Sequence, residues 1–130
     1  MGLSLRQIVT FLSGHIPPDA HRVFIDGEEK GKCTRASFRT VVVLSGLEFP
    51  VDYAYELDGA TTTLSSRMRI QGLGAGGREQ IKVNGKDVTG DDVVIGFEAP
   101  NAYVEFRFKD GETPRSVKFV APLKDYSPGG

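Results

Sequence analysis

The chain has 130 residues and a mass of 14.1 kDa, with 39% hydrophobic and 25% charged side chains, a composition that fits one compact unit better than two. Sixteen Lys/Arg against seventeen Asp/Glu leave a net charge of −1, which excludes the basic excess of a protein held non-specifically to nucleic acid by its phosphates. The single cysteine, Cys33, excludes an intramolecular disulfide, and the longest apolar runs, 41–44 and 93–95, are far shorter than the ~20 residues of a membrane-spanning helix.

In chain order, the first predicted element is a short helix over 3–13, with Ser4 as N-cap and Leu5, Ile8, Val9 and Leu12 on one apolar stripe. Gly14 ends it, and Pro17-Pro18-Asp19-Ala20 turns the chain into an extended run over 21–25 that stops at Asp26-Gly27. The opening lacks the basic start, long apolar stretch and cleavage site of a secretory signal, so a cytoplasmic or virion-associated location is expected. Cys33 reads as a half-exposed thiol at a strand entrance; Lys30, Lys32 and Arg35 would favour its thiolate, but no histidine lies nearby in sequence to act as base.

From there the period is two. Residues 36–44 alternate, and their last part is apolar on both sides, which predicts a central strand covered on each face. Val51, Tyr53, Tyr55 and Leu57 form one side of the next strand, and 61–70 a further one, with Asp58, Gly59 and Ala60 as a three-residue hairpin loop. A glycine-rich stretch follows, in which Gly72, Gly74, Gly76 and Gly77 form a flexible loop. Gly72, Gly74 and Gly77 match the spacing of a dinucleotide-binding turn, but Asn84-Gly85, a hairpin signal, follows too closely for the helix such a turn needs. Strands over 93–97, 102–108 and 116–120 complete the pattern; in the middle one Ala102, Val104, Phe106 and Phe108 point inward. Together these elements predict a mainly β fold: an antiparallel β-sandwich or barrel of seven to eight strands with one short N-terminal α-helix, forming a single domain over 1–124 and a flexible tail over 125–130.

The opening segment, 8–13 followed by Pro17-Pro18-Asp19-Ala20 and 23–26, resembles the helix, diproline-aspartate turn and strand of many small phage and mobile-element proteins. The resemblance covers about a fifth of the chain. It implies a structural or accessory role and carries over no functional residues.

No catalytic set emerges. His15 and His21 flank the diproline turn without further ligands at metal-binding spacing and read as turn-solvated, no metal or cofactor is expected, and Ser45-Gly46 lacks a nucleophile elbow. The expected function is therefore a non-enzymatic β-rich module that acts through protein contacts. Its expected state is a homo-oligomer or a larger protein assembly, with Val41 and Val43 as an apolar interface opposite the core face. The alternative is a β-barrel that binds a small anionic ligand such as a nucleotide, with Arg35, Arg39, Arg67 and Arg69 as the anion site and Tyr53, Tyr55 and Tyr103 to stack on a ring. If those charges face solvent instead, they pair with acids such as Glu98 and Glu105.

Overall fold

The computed structural model describes residues 17–38, 41–43, 46–71, 74–75, 81–98 and 100–122. The predicted helix over 3–13 and the tail over 125–130 lie outside the described residues.

Pro18–Ala20 forms a single 3-10 turn, closed by the Ala20 N–H donating to Pro17 O at 3.0 Å and the His21 N–H to Pro18 O at 3.0 Å. Proline supplies the fixed φ of this turn, and with no N–H of its own it loses no bond there. Every later element among the described residues is a strand: β1 (Arg22–Ile25), β2 (Glu28–Glu29), β3 (Lys32–Phe38), β4 (Val41–Val43), β5 (Gly46–Leu57), β6 (Ala60–Gln71), β7 (Gly74–Ala75), β8 (Ile81–Val83), β9 (Lys86–Asp87), β10 (Thr89–Glu98), β11 (Asn101–Asp110) and β12 (Thr113–Pro122). The excess over the predicted seven to eight comes from two- and three-residue pieces that return along a longer neighbour.

The strands form two antiparallel sheets. The first runs β10-β11-β12-β1-β2; the second runs β3-β5-β6-β8-β9, with β4 also on β5 and β7 also on β6. The register makes β3 and β4 one interrupted edge along β5, since Phe38 faces Val51 and Val41 faces Glu48. Residues 36–44 therefore do not form the central strand predicted from their two-sided apolar pattern: among the described residues this edge has β5 on one side only. Along this edge Val41 pairs with Glu48 and Val43 with Gly46.

Three hairpins share one turn chemistry. Asp26-Gly27, Asp58-Gly59 and Asn84-Gly85 each hold both residues at positive φ, the two-residue turn whose twist matches that of the flanking strands. Leu57 pairs with Ala60, so the β5–β6 loop has two residues rather than the predicted three. At Asn84 the turn is reinforced from outside, because its Oδ1 accepts the Thr63 N–H at 2.9 Å and its own N–H donates to Thr63 O at 2.8 Å. The chain crosses from the first sheet to the second at Gly31, whose φ is +70° and where a Cβ would sit 3.0 Å from Glu56 O. It returns at Val88, whose N–H donates to Ile81 O at 3.1 Å.

The inner faces of both sheets share one core. Ala102, Val104, Phe106 and Phe108 are all buried on β11, as the alternation predicts, and Val117, Phe119 and Ala121 on β12 continue their layer. The second sheet contributes Val51, Tyr53, Tyr55, Leu64 and Ile81. Tyr53 stacks on Phe119 with ring centroids 4.3 Å apart and meets Phe106 edge-on at 6.1 Å. Such aromatic pairs add about 0.5–1.5 kcal/mol each beyond their burial. The fold is not a closed barrel: both crossings between sheets are made by isolated residues rather than by a strand that continues the ladder, and each sheet keeps its outer strands.

Candidate functional site

The region with unspent chemistry is a buried polar patch where the 3-10 turn meets the core. His21 directly precedes β1, and the inward alternation of His21, Val23 and Ile25 carries its ring under the second sheet, where it is 5% exposed. This corrects the turn-solvated reading. The Nδ1–H donates to Pro17 O at 3.2 Å, which leaves Nε2 as the acceptor of a neutral imidazole, and that atom is buried without a partner among the described residues. Burial lowers the imidazole's pKa from its ordinary value of 6.5, against the opposing pull of the Pro17 and Pro18 carbonyls.

Against it stands Tyr53, 1% exposed, whose ring meets the His21 ring edge-on at 5.7 Å. Its hydroxyl is likewise buried and unpartnered, and burial, with the Cys33 thiol as a further cause, raises its pKa well above that of an ordinary phenol. Ser66 lies diagonally across the β5–β6 ladder from Tyr53, since Val51 faces Ser66 and Tyr53 faces Leu64. It is 4% exposed and its Oγ also has no partner. Buried polar atoms are nearly always hydrogen-bonded, so three such atoms on neighbouring residues without a partner among the described residues leave spare hydrogen-bonding capacity in this region.

Cys33 also faces inward. It is buried rather than half-exposed, because its register partner on β5 is the buried Tyr55 and paired residues share a face. Its Sγ donates to Arg35 O at 3.3 Å, and burial raises its pKa, so the flanking cations do not activate it.

The residues of the anion alternative do not line one cavity. Tyr53 and Tyr55 belong to the core. Arg35 and Arg67 are exposed on the second sheet, Arg35 opposite Ala54 and Arg67 opposite Pro50 across β5, about 13 Å apart along that strand. Arg69 pairs in register with Glu48, and Arg39 lies outside the described residues. Tyr103 lies on the outer face of the other sheet, its ring over Gly96 and under the Lys118 ammonium at 4.2 Å. Among the loop glycines, Gly74 pairs with Gln71 in the β6–β7 return, and Gly72, Gly76 and Gly77 lie outside the described residues.

Many surface charges meet acids. Arg107 lies 2.8 Å from Glu105, which also accepts the Ser116 hydroxyl at 2.8 Å, and Lys118 lies 3.7 Å from Glu98. Arg115 sits 3.0 Å from Asp26, and Arg22 forks onto Glu29. Burial alone would raise the Asp26 carboxyl, but the Ser116 N–H and the Arg115 guanidinium hold it below its ordinary value. Among the described residues no three His, Cys, Asp or Glu side chains gather as a metal centre, and no helix is long and apolar enough to cross a membrane. Comparison with protein-family models, curated proteins and solved structures finds no match to the chain.

Proposed function

We propose that this β-sandwich is a non-enzymatic structural or accessory module that acts through protein contacts and associates with copies of itself, as phage-type structural proteins do. The observation that carries this reading is the pair of long sheet edges, β10 and β3–β4, each with a strand on one side only among the described residues. Open edges present a row of N–H and C=O groups ready for another strand. One of these edges includes the short strand β4, Val41–Val43, which supports reading Val41 and Val43 as interface residues. A cytoplasmic or virion-associated setting goes with this role. Native mass measured over a range of concentrations tests it: growth of the assembly with concentration supports the reading, and a strict monomer at the highest attainable concentration refutes it.

A further inference from the structure

Three turns place a side-chain carbonyl carbon one residue before a glycine N–H: Asp26-Gly27, Asp58-Gly59 and Asn84-Gly85, each with both residues at positive φ. From that spacing the glycine nitrogen can close a five-membered ring on the carbonyl carbon. An ionised carboxylate resists such attack, and Asp26 is engaged besides, its Oδ1 accepting the Ser116 N–H at 3.0 Å. Asn84 alone of the three carries a neutral carboxamide, whose nitrogen can leave as ammonia. The chain's other asparagine, Asn101, precedes Ala102, whose Cβ crowds the attacking nitrogen.

Access favours the reaction at Asn84. Asn84 and Gly85 are exposed, and a Cβ at Gly85 would meet nothing within 4 Å, so water and hydroxide reach the Gly85 N–H. Two features of the fold oppose it. Positive φ at both residues makes this a type I′ turn, with ψ of about +30° at its first residue, whereas the ring needs about −120°, the value of a type II′ turn. Closure therefore requires the Asn84–Gly85 peptide to flip, a move that glycine accepts because its φ can change sign. The ring also requires an eclipsed χ1 that swings the carboxamide off β6. There it is clamped: Oδ1 accepts the Thr63 N–H at 2.9 Å and the Asn84 N–H donates to Thr63 O at 2.8 Å, one step beyond the Leu64–Val83 pair.

We propose that Asn84 is a latent deamidation site whose rate the Thr63 clamp sets. When the end of the β6–β8 ladder opens, the Gly85 amide gives its proton to hydroxide and its nitrogen bonds to Asn84 Cγ. The Cγ–Nδ2 bond breaks, and the nitrogen leaves as ammonia with a proton from water. A water molecule then opens the succinimide at one of its two carbonyl carbons, giving aspartate or isoaspartate. Aspartate keeps the turn, as Asp26-Gly27 and Asp58-Gly59 do, with one added negative charge. Isoaspartate runs the main chain through Cβ and Cγ, which adds a backbone atom to a two-residue turn and breaks the Val83–Lys86 pairing of β8 with β9.

Incubation at about pH 8, native and in urea, tests this, with peptide mapping that separates asparagine, aspartate and isoaspartate at residue 84 and Asn101 as the internal reference. Slow chemistry on a fast opening follows the open population. Each net hydrogen bond is worth a factor of about five in that population, so the native chain should react roughly thirtyfold more slowly than the unfolded one. Thr63→Pro removes the N–H donor; both main-chain polar groups of Thr63 point at Asn84, so the ladder to β5 keeps its bonds. Shown to be folded by far-UV circular dichroism, this variant should deamidate about fivefold faster than the wild type. If it does not fold, the native wild-type rate should rise with temperature in step with hydrogen exchange of the Thr63 amide. Absence of product at residue 84 in urea overturns the site. A native rate equal to the unfolded one, a folded Thr63→Pro with the wild-type rate, or deamidation that ignores Thr63 exchange overturns the clamp.

Discussion

Replacing Tyr53 by Phe removes one oxygen atom and nothing else. The ring keeps its stack on Phe119 at 4.3 Å and its edge contacts with Phe106 at 6.1 Å and His21 at 5.7 Å. The lost hydroxyl is buried and has no hydrogen-bond partner among the described residues. Holding such a group out of water costs about 1–3 kcal/mol, all of which the substitution recovers. Against that, the vacated space forfeits a few dispersion contacts of about 0.1–0.2 kcal/mol each, roughly 0.5 kcal/mol together. The net expectation is a protein more stable by about 1 kcal/mol, with a thermal midpoint higher by roughly 4 °C for a chain of this size. Urea unfolding at pH 7, with an unchanged denaturant slope, reads the difference directly. Ser66→Ala, which removes the second orphan oxygen, should move in the same direction. A loss of 1 kcal/mol or more in Tyr53→Phe refutes the reasoning, because it means the hydroxyl is engaged in solution by a guest in the polar patch.

Four further outcomes are expected. At Gly96 a Cβ would fall 2.0 Å from Tyr103 Cζ, so Gly96→Ala must expel the ring and should cost about 1–2 kcal/mol in urea unfolding, a cost that disappears in a Tyr103→Ala background. Asn84→Ala loses the acceptor for the Thr63 N–H and places alanine at φ 52°, which should cost about 1–2 kcal/mol by the same measurement. His21 has a folded-state pKa below its ordinary 6.5, so the unfolded chain takes up the proton first. Its stabilising contribution is complete above about pH 6.5 and declines as the pH falls through that value toward the folded pKa, by up to about 1.4 kcal/mol per pH unit; His21→Gln should flatten the stability curve between pH 7 and 5. The Cys33 thiol is buried with its pKa raised, so at pH 8 it should resist alkylation in the folded protein and react readily in urea, and rapid labelling of the native chain would contradict its placement.

What the sequence discloses follows from how many neighbours a property depends on. The inward set of β11 needs only the pleat, so Ala102, Val104, Phe106 and Phe108 can be read from their spacing alone. The Asn84-Gly85 turn needs only two residues that tolerate positive φ, and Asp58-Gly59 meets the same condition, although its neighbour Ala60 suggests a longer loop. His21 and Cys33 depend on what lies across the core. His21 shares the period of Val23 and Ile25, a signal that could have marked it as inward, but its polar side chain and the adjacent prolines point toward solvent. Strand order depends on every connection at once. The valines of β4 suit a central strand by composition, yet β5 continues past β3 to pair with them at an edge, and no feature of residues 41–43 announces this. The same limit hides the anion alternative's failure, since Tyr53 and Tyr103 share a residue type but belong to opposite sides of different sheets.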